Sequence, residues 1–337
     1  MSNKNLGIQG LRGVLMLWII LFHYTTRYSQ LYPDNINFSI LFPNGGVVGV
    51  ILFFIISGFF FGQVICNYDT DDSYKSQIRQ TFMFFFKRYI KLWKPYFLSC
   101  LIIVVFLFFV PLPGRTNTSI ISILINFFFI WHPKIEYIDS AHWFMANLIY
   151  IQFGASLLLF IKKQYRRISV LVLLFLLLIG YTMHELQIGG GGINKLNYIF
   201  LFRNSLCFVL GMATNMNYKT SNILKHSIIC ISLLALSLFV ATWWIITYYF
   251  IFILLINKSR LIYGIMSNPI FVFIGELSFY WYLLHQNIGY SILNKLSEYG
   301  YHSEIMILVP LSVTFFMAYL VSLSLKCINY GKQYKNK

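Results

Sequence analysis

Residues 7–24, GIQGLRGVLMLWIILFHY, decide how the rest of the chain is read. The stretch is long and apolar enough for a first membrane-spanning helix, yet it holds Arg12 near its start and His23 near its end. Eleven residues at about 100° each make three turns plus about 20°, so both side chains share one helix face roughly 16 Å apart. Ionisable groups on one stripe of a membrane helix are costly unless they face a polar interior, which marks the pair as a functional candidate. Each also has a plainer reading: His23 as an interfacial histidine bonded to a neighbouring helix, and Arg12 as an anchor snorkelling to the interface.

The composition extends this reading to the whole chain. Of 337 residues, 58% are hydrophobic and only 11% are charged, whereas soluble domains carry roughly 25% charged residues. The apolar runs are continuous and not alternating, which excludes a β-barrel and gives an all-α polytopic membrane protein. The net charge of +16 would suggest nucleic acid in a soluble protein. Here no soluble basic domain is present to bind it, and the charge reads as topology-setting loops. The first apolar stretch lacks a small-residue cleavage site, so no cleavable signal is expected. The five cysteines (Cys66, Cys100, Cys207, Cys230 and Cys327) show no paired spacing and read as small core residues.

About ten spans are expected, at 8–26, 46–66, 92–110, 142–161, 168–184, 197–215, 226–240, 242–256, 270–291 and 305–327. The apolar segment 118–131 is read as re-entrant or interfacial. Counting it as a span would put Lys162, Lys163, Arg166 and Arg167 on the opposite side from Lys87, Arg88, Lys91 and Lys94. With ten spans and a cytoplasmic N-terminus, twenty of the 26 Lys and Arg fall inside, five fall outside, and Arg203 lies within a span. Both termini are then cytoplasmic. Residues 1–327 read as one transmembrane domain and 328–337 as a short basic tail. Gly189–Gly192 mark a flexible outer loop.

Further polar residues punctuate the apolar runs. Ser57-Gly58 interrupts GVVGVILFFIISGFFFG (46–62), where the glycines also suit close helix packing. Lys87, Arg88, Lys91 and Lys94 form a cationic helix face followed by Pro95. That face suits a phosphate-bearing ligand or, equally, anionic lipid heads. His142, in Ala141-His142-Trp143-Phe144, opens a span with Asn147 one turn further in. Tyr282 and His285 are helical neighbours in LSFYWYLLH (277–285). Arg203, within a span, needs a polar partner, with Glu276 the nearest thing to a buried carboxylate. No metal-ligand cluster is visible.

Taken in order, GLRG…LFH with Arg12 and His23, GVxxFFxISGF-like 46–62, RYIKLWKPY, HWF and LSFYWYLLH resemble the acyltransferase-3 family of bacterial membrane O-acyltransferases over roughly residues 6–325. The resemblance implies a transfer of an acyl group, most simply acetyl from acetyl-CoA, to a hydroxyl of a cell-surface glycan or its lipid-linked precursor at the bacterial inner membrane. No metal is implied. His23 takes the position of the family's essential histidine and Arg12 that of its partner. Arg88 and Lys91 take the positions of two arginines thought to engage acyl-CoA from the cytoplasm; Lys91 keeps the charge but loses the bidentate fork. Asn147 stands near the place where many relatives have a glutamate. No SGNH-type hydrolase domain, which some relatives carry, is expected here. Ser57, Tyr282 or backbone N–H groups near Gly58 are candidate oxyanion donors. His23 could act as general base or as acyl carrier. A polysaccharide or acyl-group translocator without catalytic activity is the alternative, though internal repeats are lacking. An unrelated lipid-handling bundle is a third.

Overall fold

A computed structural model describes residues 5–35, 45–69, 73–114, 119–129, 137–216, 222–301 and 303–335, with side chains through Cys327. Lys4, Arg115, Lys134, Lys219 and Lys337, which enter the loop-charge count, lie outside these described residues, as do the ends of 118–131. Among the described residues the chain is all α, with no strand. In order, the α-helices are α1 (Leu6–Phe22), α2 (Tyr28–Leu31), α3 (Gly45–Asn67), α4 (Tyr74–Phe109), α5 (Ile120–Phe127), α6 (Trp143–Ser156), α7 (Lys163–Glu185), α8 (Gly190–Phe200), α9 (Phe202–Asn215), α10 (Ile223–Phe239), α11 (Trp244–Ile256), α12 (Arg260–Met266), α13 (Pro269–Glu298) and α14 (Leu308–Lys335). The last therefore continues as helix into the basic tail.

Among the described residues, six segments are long and apolar enough to cross a membrane: Leu6–Leu31, Gly45–Asn67, Tyr74–Phe109, Ser140–Phe160, Lys163–Glu185 and Glu304–Cys327. The count becomes eight if the bent pairs α8–α9, at 51°, and α11–α12, at 100°, are each one span. Reaching the expected ten means also counting α10 and α13. The 17 residues of α10 give about 25 Å of helix. The 30-residue α13 is diluted in apolar character by Ser278, His285, Gln286, Asn287, Ser291 and Asn294, all buried. A helix that turns such residues inward is shielded by protein on that side, which is where polar groups are tolerated at membrane depth.

The chain divides into two compact units. The first comprises 1–49, 90–146 and 252–337. Its centre is the crossing of α1 with α13. Gly7, Gly10 and Gly13 recur every third residue on α1. A Cβ on Gly10 would lie 1.6 Å from the Met266 carbonyl oxygen, and one on Gly13 would lie 2.3 Å from that of Phe271. From the other side, a Cβ on Gly275 would lie 1.9 Å from the Gln9 carbonyl oxygen. The two backbones thus touch where only glycine leaves room. α14 packs along α13, where the Trp281 indole N–H donates to Thr314 Oγ1 at 2.9 Å. The eight-residue α5 is about 12 Å long and cannot cross a ~30 Å hydrocarbon core. It docks on the side of α4: the Trp93 indole N–H donates to the Phe127 carbonyl at 2.8 Å, and Tyr96 stacks on Phe129 at 3.9 Å. The described part of 118–131 is therefore a short helix docked on α4.

The second unit comprises 50–89 and 147–251. Here α3 crosses α9 through glycine: a Cβ on Gly58 would lie 1.8 Å from the Phe208 carbonyl oxygen, and one on Gly211 1.9 Å from that of Ile55. α7 packs on α9 and α10. The ends of α3 and α7 are tied together. Lys163 Nζ lies 2.6 Å from Asp69 Oδ1, and this ammonium holds the Asp69 carboxyl below its ordinary range. Arg166 is fully buried. Its guanidinium donates to the carbonyls of Ile161 at 2.8 Å, Ile65 at 3.0 Å and Leu159 at 3.3 Å, and also to that of Tyr68. It thereby collects the terminal carbonyls that a helix end leaves without partners. Tyr74, opening α4, meets Phe160 at 6.2 Å between ring centroids. The starts of α4 and α7 therefore share one end of this unit.

Candidate active site

α1 stops at Phe22, and the next residues, His23–Arg27, form a π-helical turn before α2 resumes the α-helix. Such single wide turns occur most often at functional sites. Up to His23 the helix is regular, so the expected separation from Arg12, roughly 16 Å along the axis, stands. Arg12 itself is half-buried and donates to Gln9 Oε1 at 3.3 Å.

His23 is half-buried, with Nδ1 at 3.0 Å from the Tyr290 hydroxyl. Its ring meets that of His285 edge to face, with centroids 5.0 Å apart. Tyr290 is itself fully buried and packs against Tyr28 at 5.8 Å and Tyr32 at 6.2 Å. The Tyr28 hydroxyl donates to Asn294 Oδ1 at 2.8 Å. The π-turn thus faces the His285–Asn294 portion of α13, and a Cβ on Gly289 would lie 2.2 Å from the Tyr24 ring.

A second element braces the same portion of α13. Asp139 is the only buried carboxylate among the described residues. Its Oδ1 accepts from the Ala141 N–H and its Oδ2 from the Asn287 N–H, both at 2.8 Å. His142, also fully buried, places Nε2 at 2.9 Å from the Leu283 carbonyl. A carbonyl only accepts, so Nε2 carries the proton and Nδ1 is left to accept from the Cys100 thiol at 3.7 Å. Leu283 C=O and Asn287 N–H are the i, i+4 pair that closes one turn of helix. Asp139 and His142 therefore clamp both halves of the turn that carries His285. The neighbouring carbonyls are engaged as well: Tyr282 C=O by His285 Nδ1 at 2.8 Å, and His285 C=O by the Tyr24 hydroxyl at 2.7 Å.

The remaining predicted residues separate. Tyr282 and His285 do share a face, with rings 5.5 Å apart, but the Tyr282 hydroxyl proton is donated to the Ala141 carbonyl. Along α4, Lys87 and Lys91 are exposed and Lys94 is half-buried. Arg88 turns into the second unit, its guanidinium 4.6 Å from the Phe61 ring centroid and 4.8 Å from that of Phe84. Ser57, half-buried, and Asn147, buried, belong to that same second unit. Arg203 is exposed near the start of α9, so the expectation that burial forces a polar partner on it does not apply. Glu276 is exposed too. Sequence reasoning missed Asp139 and Tyr290. The Asp139-x-x-His142 spacing, with an aspartate capping the turn before HWF, was the available signal for the first. Among the described residues no group of three or more His, Cys, Asp or Glu side chains is arranged to hold a metal ion.

The acyltransferase-3 family model, described as an acyltransferase domain, matches residues 5–327. The chain belongs to that family, and the match covers nearly all of its length. It is a multi-pass, all-α membrane acyltransferase. No curated protein and no solved structure matches it.

Proposed function

We propose that this acyltransferase moves an acyl group, acetyl in the simplest case, from acyl-CoA to a hydroxyl of a surface glycan or its lipid-linked precursor. It would do so in a bacterial inner membrane, with ten crossings and both termini cytoplasmic. The observation that carries the reading is the His23 imidazole, held at the π-turn by Tyr290 and set against His285 within a buried polar cluster. An imidazole is suited to accept a hydroxyl proton or to carry an acyl group.

Donor binding is assigned to the basic part of α4. Arg88 has its guanidinium over two phenylalanine rings, an arrangement that leaves the N–H edge to meet a phosphate. Lys87 and Lys91 add exposed charge beside it and Lys94 adds half-buried charge. Arg12, three turns from His23 on the same helix, is the partner assigned to that histidine. The test is acetyl incorporation into surface glycan by His23→Ala and Arg88→Ala at matched protein levels. His23→Ala is expected to lose at least about 100-fold, the usual scale of a lost acid–base group, and Arg88→Ala to lose transfer through weaker acyl-CoA binding, seen as a raised donor KM. Undiminished acetylation in His23→Ala would overturn the reading. Glycan held inside the cell with unchanged acetylation would favour a translocator instead.

A further inference from the structure

His285 is fully buried. Its Nδ1 lies 2.8 Å from the Tyr282 carbonyl, so Nδ1 carries the proton and Nε2 presents a lone pair. Among the described residues that lone pair has no hydrogen-bond partner. Buried polar atoms are nearly always paired, and an exception calls for a function or a ligand. The next two residues repeat the pattern: among the described residues, Gln286 Oε1 and Asn287 Oδ1 are also buried acceptors without partners. Of these acceptors, His285 Nε2 belongs to the ring that lies against the His23 imidazole. A sugar brings hydroxyl donors, which is the complementary chemistry. The tautomer that makes Nε2 an acceptor is fixed by the helix itself, and the turn is clamped by Asp139 and His142.

We infer that His285 is the proton acceptor for the sugar hydroxyl, its Nε2 touching that hydroxyl while His23 carries the acyl group. This rests on the acyl-CoA-to-glycan reading above. In the first half, a ring nitrogen of His23 attacks the thioester carbon. The C–N bond forms, the C–S bond breaks, and its electron pair leaves on sulfur as the CoA thiolate. In the second half, the sugar oxygen attacks the acyl carbon. The C–O bond forms, the C–N electron pair returns to His23, and the hydroxyl proton passes to His285 Nε2. The His285 imidazolium then gives that proton to the thiolate, so ester and thiol are the net products.

The experiment uses the full chain in native-host membrane vesicles supplied with labelled acetyl-CoA. It compares wild type, His285→Ala and His285→Gln, following CoA thiol release and label on protein and glycan. Glutamine keeps an acceptor atom but cannot take a proton. The expected result for both variants is a burst of about one thiol per protein, label held on the protein as a hydroxylamine-labile adduct, and glycan transfer slowed about 100-fold. Transfer near the wild-type rate in either variant overturns the assignment. So does loss of the burst in both, because His285 would then act before the acceptor step or only in folding. Absence of any acyl transfer by the wild-type protein would instead remove the donor–acceptor reading itself.

Discussion

Asp139 accepts with one oxygen from its own turn, at Ala141 N–H, and with the other from Asn287 N–H on α13. With both oxygens accepting, the buried carboxyl group has its hydrogen-bonding capacity used. Asp139→Ala would leave both N–H groups without an acceptor, at a cost of about 3 kcal/mol. Asp139→Asn, which keeps one oxygen acceptor, should fall between the two. Thermal unfolding of the detergent-solubilised protein measures this order. Equal melting temperatures for wild type and Asp139→Ala would show that the clamp carries no stability. The residues legible in the sequence are those whose partners are close along the chain or share a spacing rule. Tyr282 and His285, three apart, are one case; Arg12 and His23, on one helical face, are another. The Asp139–Asn287 bond joins residues 148 apart, and no local pattern announces it.

At the scale of elements, backbone contact explains why α1 and α13 are fixed so closely that His23 and His285 can meet. Apolar character alone gives little reason for two helices to associate inside a bilayer, so van der Waals fit at small residues supplies it. Gly275→Leu should force the crossing apart, because even its Cβ would lie 1.9 Å from the Gln9 carbonyl oxygen. The expected loss is about 3 kcal/mol or more, with poor recovery of folded protein. Gly264→Ala is the matched control, since nothing lies within 4 Å of the added carbon. Monodisperse yield and melting temperature decide the matter, and a Gly275→Leu protein that behaves like the control would refute this packing argument. The sequence shows these glycines but not their opposite numbers. Gly10 and Gly13 read only as permissive residues until Met266, Phe271 and Gly275 are seen across from them.

For the molecule as a whole, most of the helical architecture follows from hydropathy, and loop charge gives an expectation for its sides. Residues 74–79 and 162–167 should react with the same membrane-impermeant thiol reagent from the same side when single cysteines are placed there. Labelling from opposite sides would contradict the tie between Asp69 and Lys163 and the contact of Tyr74 with Phe160. What hydropathy does not supply is the inward polarity of α13, because the same average describes a weak span and a well-shielded one. It also hides Arg166. In the run Lys162-Lys163-Gln164-Tyr165-Arg166-Arg167 that arginine looks like loop charge, yet it alone among the four basic residues there is buried, drawn in by carbonyls at the ends of two helical segments.

The wide turn at His23–Arg27 introduces a phase slip into the first membrane segment. Helical arithmetic from Arg12 and the glycine stripe holds up to His23 and then fails, because a π-turn takes in one residue more than an α-turn. Tyr24 and Tyr28 therefore face α13 on a count displaced by about 100° from the upstream one. Chain length in this one turn is thus a coordinate of the active site. Removing a single residue between Tyr24 and Arg27 would leave every functional group present while rotating Tyr28 away from Asn294 and Tyr290, the ring that holds His23.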